Sequence, residues 1–285
     1  MTNLKQGKVS RKLKYPERFR AWQHVAGFNQ RQIIAKVGQV NTVNYQVEVD
    51  IAELDGVRLL FFSDLHCGDD FSKLLYRDLI QSINQAEADI VICGGDLPGR
   101  SFDQRQTLTI LTACRAKSCK LAVLGNWDSY AKSELNSEQW RSFYQQCGFQ
   151  LLHNQSKSWG QLKFYGIDDI KTGMPLFSPS VGEGYNILLS HNPDTVIHIA
   201  DDINLAKFDL ALCGHTHAGQ VRLPLFGALA SSSRYGRMFD CGRFVHQHFP
   251  EKNILISAGI GTSAFPWRFN CPPEIMVIDL VNRRV

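Results

Sequence analysis

The stretch Val57-Arg58-Leu59-Leu60-Phe61-Phe62-Ser63-Asp64-Leu65-His66 decides how the rest of the chain is read. A short apolar run closed by polar residues reads as a buried strand, and here its C-terminal end delivers a carboxylate and an imidazole. Four further runs repeat the arrangement. Ile90 to Cys93 lead into Gly94-Gly95-Asp96, and Leu121 to Leu124 into Gly125-Asn126. Ile187 to Leu189 end at Ser190-His191, and Leu210 to Cys213 at Gly214-His215-Thr216-His217. Open α/β sheets hold ligands beyond the carboxyl ends of their strands, so five strands are expected to converge on one site.

Working outward, helical patterns are predicted over 71–86, 103–116 and 136–147, the last closed by Gly148 as its C-cap. This β-α-β-α rhythm predicts a layered α/β fold. From Val43 to Val49 apolar and polar residues alternate, which predicts an edge or antiparallel strand. Segments 149–152, 157–166, 185–190, 253–258 and 275–280 are strand-like with few helices between them. They predict a second, more antiparallel sheet packed on the first.

With 285 residues, 44% hydrophobic and 20% charged, the chain can bury a large core. It is read as a basic N-terminal arm, 1–42, followed by one catalytic domain, 43–285. Residues 1–20 hold seven Lys or Arg against Glu17 alone, net +6, so an overall +4 leaves −2 for the remainder. The body therefore lacks a general nucleic-acid-binding charge, and no nucleic-acid partner is expected. Within the arm, residues 1–14 are expected to be poorly ordered. From Pro16, the residues Phe19, Trp22 and Ala26 recur at helical spacing until Gly27, beside Arg18 and Arg20. Such a short basic amphipathic helix either packs on the body or attaches the protein to an anionic membrane surface. Eight cysteines form no CxxC pair and read as free thiols of a reducing compartment. No run reaches eighteen apolar residues, and no signal-type segment follows the basic start. The expected location is cytoplasmic, peripheral on the cytoplasmic face of the inner membrane.

Carboxylate, amide-oxygen and imidazole ligands without thiolate suit Mn, Fe, Zn or Mg rather than a structural zinc. Asp64 and His66 stand at i and i+2, on one side of an extended segment, and His215 and His217 repeat that spacing. Seven potential ligands are too many for one tetrahedral ion and about right for two ions sharing a bridge. Two such ions, roughly 3.5 to 4 Å apart, clamp a phosphoryl group and deprotonate a water between them.

In order and spacing, Asp64-Leu65-His66, Gly95-Asp96, Gly125-Asn126-Trp127-Asp128, His191 and Gly214-His215-Thr216-His217 resemble the motif blocks of calcineurin-like metallophosphoesterases. Similarity to one membrane-associated bacterial branch continues through Gly219-Gln220-Val221-Arg222-Leu223-Pro224, Ile260-Gly261-Thr262-Ser263 and Pro272-Pro273-Glu274-Ile275. The resemblance implies a four-layer α-β-β-α sandwich of two mixed sheets with outer helices. It implies that Asp64, His66 and His217 hold one divalent metal and Asn126, His191 and His215 a second, with Asp96 bridging. Manganese is the expected metal, with Fe, Zn and Mg as alternatives. It also implies catalytic roles for Asp96, Asn126, His191 and His215.

One position departs from the family pattern. Most members place His in the third block, where it contacts substrate phosphate and protonates the leaving oxygen; here the residue is Trp127. Indole has one N–H donor and cannot transfer a proton at neutral pH, and Asp128 loses the partner it orients in the family. An alkoxide leaving group, with a pKa about 15, suffers without an acid. A phosphate monoester, with a second pKa near 6, can depart unprotonated. The substitution therefore favours cleavage of a phosphoanhydride. The relatives that cut UDP-2,3-diacylglucosamine to UMP and an acylated sugar phosphate in lipid A synthesis include a branch that also lacks this His. A broader phosphodiesterase acting on phospholipids or nucleotides is the alternative, and a metal-binding scaffold that has lost catalysis is the rival from another class.

Phe226, Leu229, Phe239, Phe244, Phe265, Trp267 and Phe269 make the C-terminal third aromatic-rich, either lining an acyl-chain groove or forming core. Trp127, Asp128, Arg222, Arg234, Arg237 and Arg268 are the candidate substrate contacts, the arginines because guanidinium pairs with phosphate bidentately. Asp168-Asp169 either orients a metal ligand or makes a turn between strands. His24, His153, His198, His246 and His248 lack motif partners and read as surface or packing residues, and Cys67 is assigned no chemistry.

Overall fold

Successive side chains of a strand point to opposite faces. In β3 (Arg58–Phe62) both faces are apolar: Leu59 and Phe61 pack one way and Leu60 and Phe62 the other, all fully buried. Such a strand needs cover on both sides, and the fold supplies a second sheet on one face and helices on the other. The computed structural model describes residues 18, 20–26, 39–68, 73–128, 133–179, 183–263 and 266–283.

The first sheet runs in the order β2 (Asn41–Val49), β15 (Glu274–Asn282), β3, β4 (Ile90–Cys93), β5 (Cys119–Ala122) and β6 (Gln150–Leu151). Strands β3 to β6 are parallel neighbours, and β15 is antiparallel to β3. The second sheet runs in the order β1 (Trp22–Ala26), β13 (Gly242–His246), β14 (Asn253–Ile256), β10 (Leu210–Cys213), β9 (Tyr185–Ser190), β8 (Leu162–Ile167) and β7 (Gln155–Trp159). Between the sheets lies one apolar layer, in which Phe61, Ile92 and Val123 meet Phe164, Leu189 and Leu212. Outside the first sheet, α1 (Lys73–Gln85), α2 (Gln104–Ala113) and α3 (Ser137–Gln146) bury Leu79, Ile83, Ile110, Leu111, Trp140 and Tyr144 against Leu60, Phe62 and Val91. Outside the second, α4 (Pro193–Ile199) and α5 (Asp202–Leu205) cover Leu188, Ala211 and Ile254. The result is the expected four-layer α-β-β-α sandwich of two mixed sheets.

Local chemistry sets the element ends. Asn136 caps α3 by accepting from Glu138 and Gln139 N–H while the Gln139 side chain takes Asn136 N–H, a reciprocal capping box. Gly148, at φ 77°, follows the same helix where a left-handed residue is needed.

Several expectations are corrected. The second sheet is the more antiparallel of the two, as expected, through the pairs β7–β8, β13–β14 and β1–β13, but its centre is parallel, because β8, β9, β10 and β14 run the same way. Two segments expected in it, 149–152 and 275–280, lie in the first sheet as β6 and β15. Strand β2 does lie on an edge, but it runs parallel to β15. The segment 157–166 is the β7–β8 hairpin rather than one strand, since Gly160 at φ 53° turns the chain. Of the helix expected from Pro16 to Gly27, Arg18 and Arg20 are helical, but Trp22–Ala26 is a strand paired with the edge of β13. Pairing covers the exposed backbone groups of β13, and Trp22 is buried with its ring edge-on to His246. The guanidinium of Arg18 donates to the His198 carbonyl in the last turn of α4, so it faces the body. Residues 1–17, 19 and 27–38 lie outside the described residues, and with them the expected order of the basic start.

Candidate metal centre

All seven candidate ligands follow the carboxyl ends of parallel strands: Asp64 and His66 after β3, Asp96 after β4, Asn126 after β5, His191 after β9, His215 and His217 after β10. Both sheets thus contribute, and backbone bonds lock the loops together. Asp64 N–H donates to Gly95 O at 2.9 Å and His66 N–H to Asp96 O at 3.1 Å. Across the sheets, His215 N–H donates to Asp64 Oδ2 at 3.0 Å.

The ligand loops are not extended as the i, i+2 spacing suggested. Asp64, His66, Asp96, His215 and His217 all have positive φ, between 44° and 70°. For residues with a Cβ this conformation costs on the order of 1–3 kcal/mol each, and such outliers collect at functional sites. Two glycines let the loops close. A Cβ on Gly125 would lie 2.2 Å from Asp96 Oδ1, and one on Gly214 would lie 2.5 Å from Asp64 Oδ2.

The side chains fall into two buried groups, Asp64/His66/His217 and Asp96/His191/His215, each with its ligand atoms within 4.8 Å of one another. His66 Nε2 lies 3.0 Å from His217 Nε2, and His215 Nδ1 lies 3.2 Å from His191 Nε2. Asp96 Oδ2 is 3.1 Å from His191 Nε2 in its own group and 3.7 Å from His66 Nε2 in the other, so it lies between the two. Beside them the Asn126 Oδ1 atom is buried with no hydrogen-bond partner. An orphaned acceptor among crowded carboxylates and imidazoles is what a cation satisfies, so the residues fit two divalent metals.

Tautomers agree with that use, and so does the charge of His66, His215 and His217. His191 differs: burial lowers it, but Asp96 and Asp64 outweigh burial and raise it to about 10, so it must release a proton to bind a metal. His66 and His191 direct Nδ1 at backbone carbonyls, Pro98 O at 2.9 Å and Gly94 O at 2.8 Å, which leaves each Nε2 lone pair for the centre. Burial, joined by neighbouring His191 and Lys171, holds His215 well below the usual imidazole range. Burial, joined by His66 and Arg268, does the same for His217. The neutral imidazole is the ligand form. Burial opposes charge on Asp96 as well, but His191 outweighs it and holds the carboxyl at about 2.

The calcineurin-like phosphoesterase family model matches residues 57–219, which span every ligand described above. The chain belongs to this family. It is 26% identical over 238 residues to the uncharacterized metallophosphoesterase YkuE of Bacillus subtilis, covering 79% of each chain. It is 29% identical over 237 residues to the phosphodiesterase YaeI of Escherichia coli, covering 79% of this chain and 82% of that one. A transmembrane protein with metallophosphoesterase domain from Danio rerio is 27% identical over 282 residues, 87% of this chain and 60% of its own. Among the described residues of this family member, no helix is long and apolar enough to cross a membrane.

The remaining candidates divide. Trp127 lines the centre: its backbone N–H donates to Asp96 Oδ1 at 2.8 Å, and its ring meets His66 edge-on at 5.0 Å. Asp128 does not face substrate. Fully buried, it accepts from Asp96, Leu97 and Gly125 N–H at 2.7 to 3.0 Å and ties the Asp96 loop to the Asn126 loop. Arg222 pairs with Asp240 at 2.5 Å and donates to Ala218 O, so its guanidinium braces the loop after His217. Arg268 does reach the centre, with Nη2 3.1 Å from His217 Nδ1, while its other donors hold Gly261 O and Ala258 O. Arg234 and Arg237 are exposed; Arg237 donates to Ala228 O at 3.3 Å. Of the candidate groove residues, Phe239 and Phe244 are core, Phe226, Leu229, Trp267 and Phe269 are exposed, and Phe265 lies outside the described residues.

Asp168 makes the turn, accepting Asp169 and Met174 N–H and pairing with His153 at 3.1 Å. Asp169 holds Lys171 N–H through Oδ1, and its buried Oδ2 has no hydrogen-bond partner. This turn delivers a residue that sequence reasoning missed. Lys171 Nζ sits 2.7 Å from His215 Nε2 and 3.2 Å from Ser232 O. A lone lysine between strands carries no pattern; only its position four residues beyond the end of β8, beside Asp168-Asp169, pointed there. The eight cysteines are free thiols, and all but Cys119 are buried.

Proposed function

We propose that this protein is a two-metal phosphodiesterase that hydrolyses diesters and anhydrides of phosphate whose leaving group departs without a proton. The observation that carries the reading is the pair of buried His/Asp groups with the orphaned Asn126 Oδ1 beside them. Asp64, His66 and His217 would hold one ion and Asn126, His191 and His215 the other, with Asp96 between; manganese is the metal to load first. Bound there, two divalent ions supply Lewis acidity toward the phosphoryl oxygens and lower the pKa of water.

The chain's own residues orient and neutralise the substrate. An imidazole that gives its inner nitrogen to a metal carries its proton on the outer one, and an N–H cannot accept from a cation. Lys171 and Arg268, which meet the outer nitrogens of His215 and His217, then need another acceptor, and a phosphate oxygen is the chemistry that suits both. Lys171 keeps one donor on Ser232 O and so stays aimed at the centre. Trp127 excludes water over His66 and offers no transferable proton. Cleavage therefore favours phenolate or phosphate as the leaving group. The relative with the printed name phosphodiesterase supports the diester part of this reading.

A second reading is favoured by exposed apolar side chains in the segments that leave the centre: Trp267 and Phe269 flank Arg268, which meets His217, and Phe226 and Leu229 follow His217 in the chain. It is a lipid-borne anhydride, UDP-2,3-diacylglucosamine, cut to UMP and 2,3-diacylglucosamine 1-phosphate. The test is UMP release by Mn-loaded protein from the acylated substrate and from a non-acylated UDP-sugar, with a simple aryl diester in parallel. Release from the acylated substrate alone supports the lipid reading. Hydrolysis of the aryl diester without UMP release leaves the general phosphodiesterase. No hydrolysis of any of them, with two ions bound, leaves the scaffold without catalysis.

A further inference from the structure

Directly after the last metal ligand, the chain leaves the centre as a two-stranded ribbon, β11 (Arg222–Leu223) and β12 (Gly227–Ala228). Its tip carries Leu225, 104% exposed, and Phe226, 76% exposed. Beside it runs the segment of Trp267, 51% exposed, and Phe269, 47% exposed. The two are tied by Arg222 N–H to Phe269 O at 2.9 Å, Phe269 N–H to Gln220 O at 3.1 Å and Gln220 Nε2 to Trp267 O at 2.9 Å. Water-exposed apolar side chains grouped this way mark an interaction surface.

Shape and charge select the partner. A stable contact between proteins needs about 800 Å² of fitted surface on each side, and a ribbon tip of two protruding side chains offers a convex point instead. A bilayer interface accepts such a point, with aromatic and aliphatic side chains below and cations at the headgroups. The cations are present: Arg234 and Arg237 are exposed, and Arg237 donates to Ala228 O on the ribbon itself. No Asp or Glu occurs in 221–239 or 261–273. The ribbon is also rigidly joined to the centre, because Gly219 passes so close to Ala228 that a Cβ there would lie 2.4 Å from the Ala228 Cβ.

We infer that the 221–229 ribbon, with Trp267 and Phe269, docks this protein on an anionic lipid surface and sets the metal centre at the headgroup level. The inference extends the reading of a lipid-borne substrate and shares its premise that the site works at a bilayer. It differs from attachment through the basic arm, since it assigns binding to a different part of the chain.

The test is co-sedimentation of the full chain with vesicles of phosphatidylcholine alone and of phosphatidylcholine mixed with phosphatidylglycerol. The double variant Leu225→Asp/Phe226→Asp is compared with a variant whose Lys5, Lys8, Arg11, Lys12 and Lys14 are changed to Gln. The wild type is expected to bind the mixed vesicles, more weakly as salt rises. The ribbon variant is expected to bind roughly tenfold or more weaker with an unchanged Tm, and the arm variant to retain most of its binding. Vesicles should shift tryptophan emission to the blue, and Trp267→Phe should remove most of that shift. Wild-type binding by the ribbon variant overturns the inference, as does a wild type that ignores anionic vesicles. A wild-type dimer that the ribbon variant dissociates also overturns it, by making the ribbon a contact between copies. Hydrolysis of a lipid-linked substrate in detergent micelles is measured separately. Its success alongside failed vesicle binding sinks the docking surface and spares the substrate reading; its failure alongside ribbon-dependent binding does the reverse.

Discussion

Replacing Gly125 by Ala perturbs one ligand and almost nothing else. The new Cβ would sit 2.2 Å from Asp96 Oδ1 and 2.8 Å from Asp96 Cγ. Non-bonded carbon and oxygen need roughly a further 1 Å, so either the carboxylate or the loop must retreat by about that distance. The loop cannot yield easily: Gly125 N–H is held by Asp128 Oδ2 at 2.7 Å, and the same carboxylate holds Asp96 N–H at 2.7 Å. Overpacking of this kind costs about 1–3 kcal/mol of stability. A misplacement of about 1 Å at a reacting centre costs on the order of a hundredfold in rate. We expect Gly125→Ala to fold, to lose about 1–3 kcal/mol in urea unfolding, and to lose at least about tenfold in affinity for Mn by calorimetry. The control is Gly160→Ala, at φ 53° with open space around its Cβ, which should cost about 1 kcal/mol and leave metal affinity untouched. Two ions bound by Gly125→Ala with wild-type affinity would refute the placement of Asp96 at the metals.

Other outcomes follow from the same geometry. Lys171→Ala should lower kcat/KM for an aryl diester roughly ten- to a hundredfold, mostly through KM, because a charge-assisted contact contributes about 1.5–3 kcal/mol; Lys171→Arg should recover part of the loss. Trp127→His should raise hydrolysis of alkyl diesters relative to aryl diesters, and an unchanged ratio would show that the missing acid is not what limits alkoxide departure. Chelation should lower Tm by roughly 5 °C or more, since ligand at a hundred times Kd contributes about 2.7 kcal/mol, and restored Mn should reverse it. Arg222→Ala should destabilise the fold by about 1–3 kcal/mol through the orphaned, buried Asp240, with KM for a soluble diester changed less than in Lys171→Ala.

Much of the fold was legible because its signals are local. Runs such as Leu59 to Phe62 are apolar at every position, as a strand covered on both faces must be, and the capping pair Asn136 and Gln139 marks α3 within four residues. The candidate ligands stand out in the sequence for the same reason, since each follows directly behind such a run. What failed depends on partners distant in sequence. Trp22–Ala26 became a strand because β13 offered an open edge, although Phe19, Trp22 and Ala26 are spaced like a helix. Arg222 and Asp128 looked like substrate contacts until Asp240 and three backbone amides claimed them. The positive φ of Asp64, His66, His215 and His217 is equally invisible to a spacing argument, because the closing of the loops around one centre imposes it. Lys171 was missed because a single cation has no period.

The most direct test of the central claim is titration of metal-stripped protein with Mn while hydrolysis of an aryl phosphodiester and bound Mn are recorded together. The account predicts two ions per chain, activity that appears as the second equivalent fills, and loss of at least about a hundredfold in Asp96→Ala. Two tightly bound ions with no hydrolysis of any phosphoester or anhydride would contradict it, as would full activity with no metal bound.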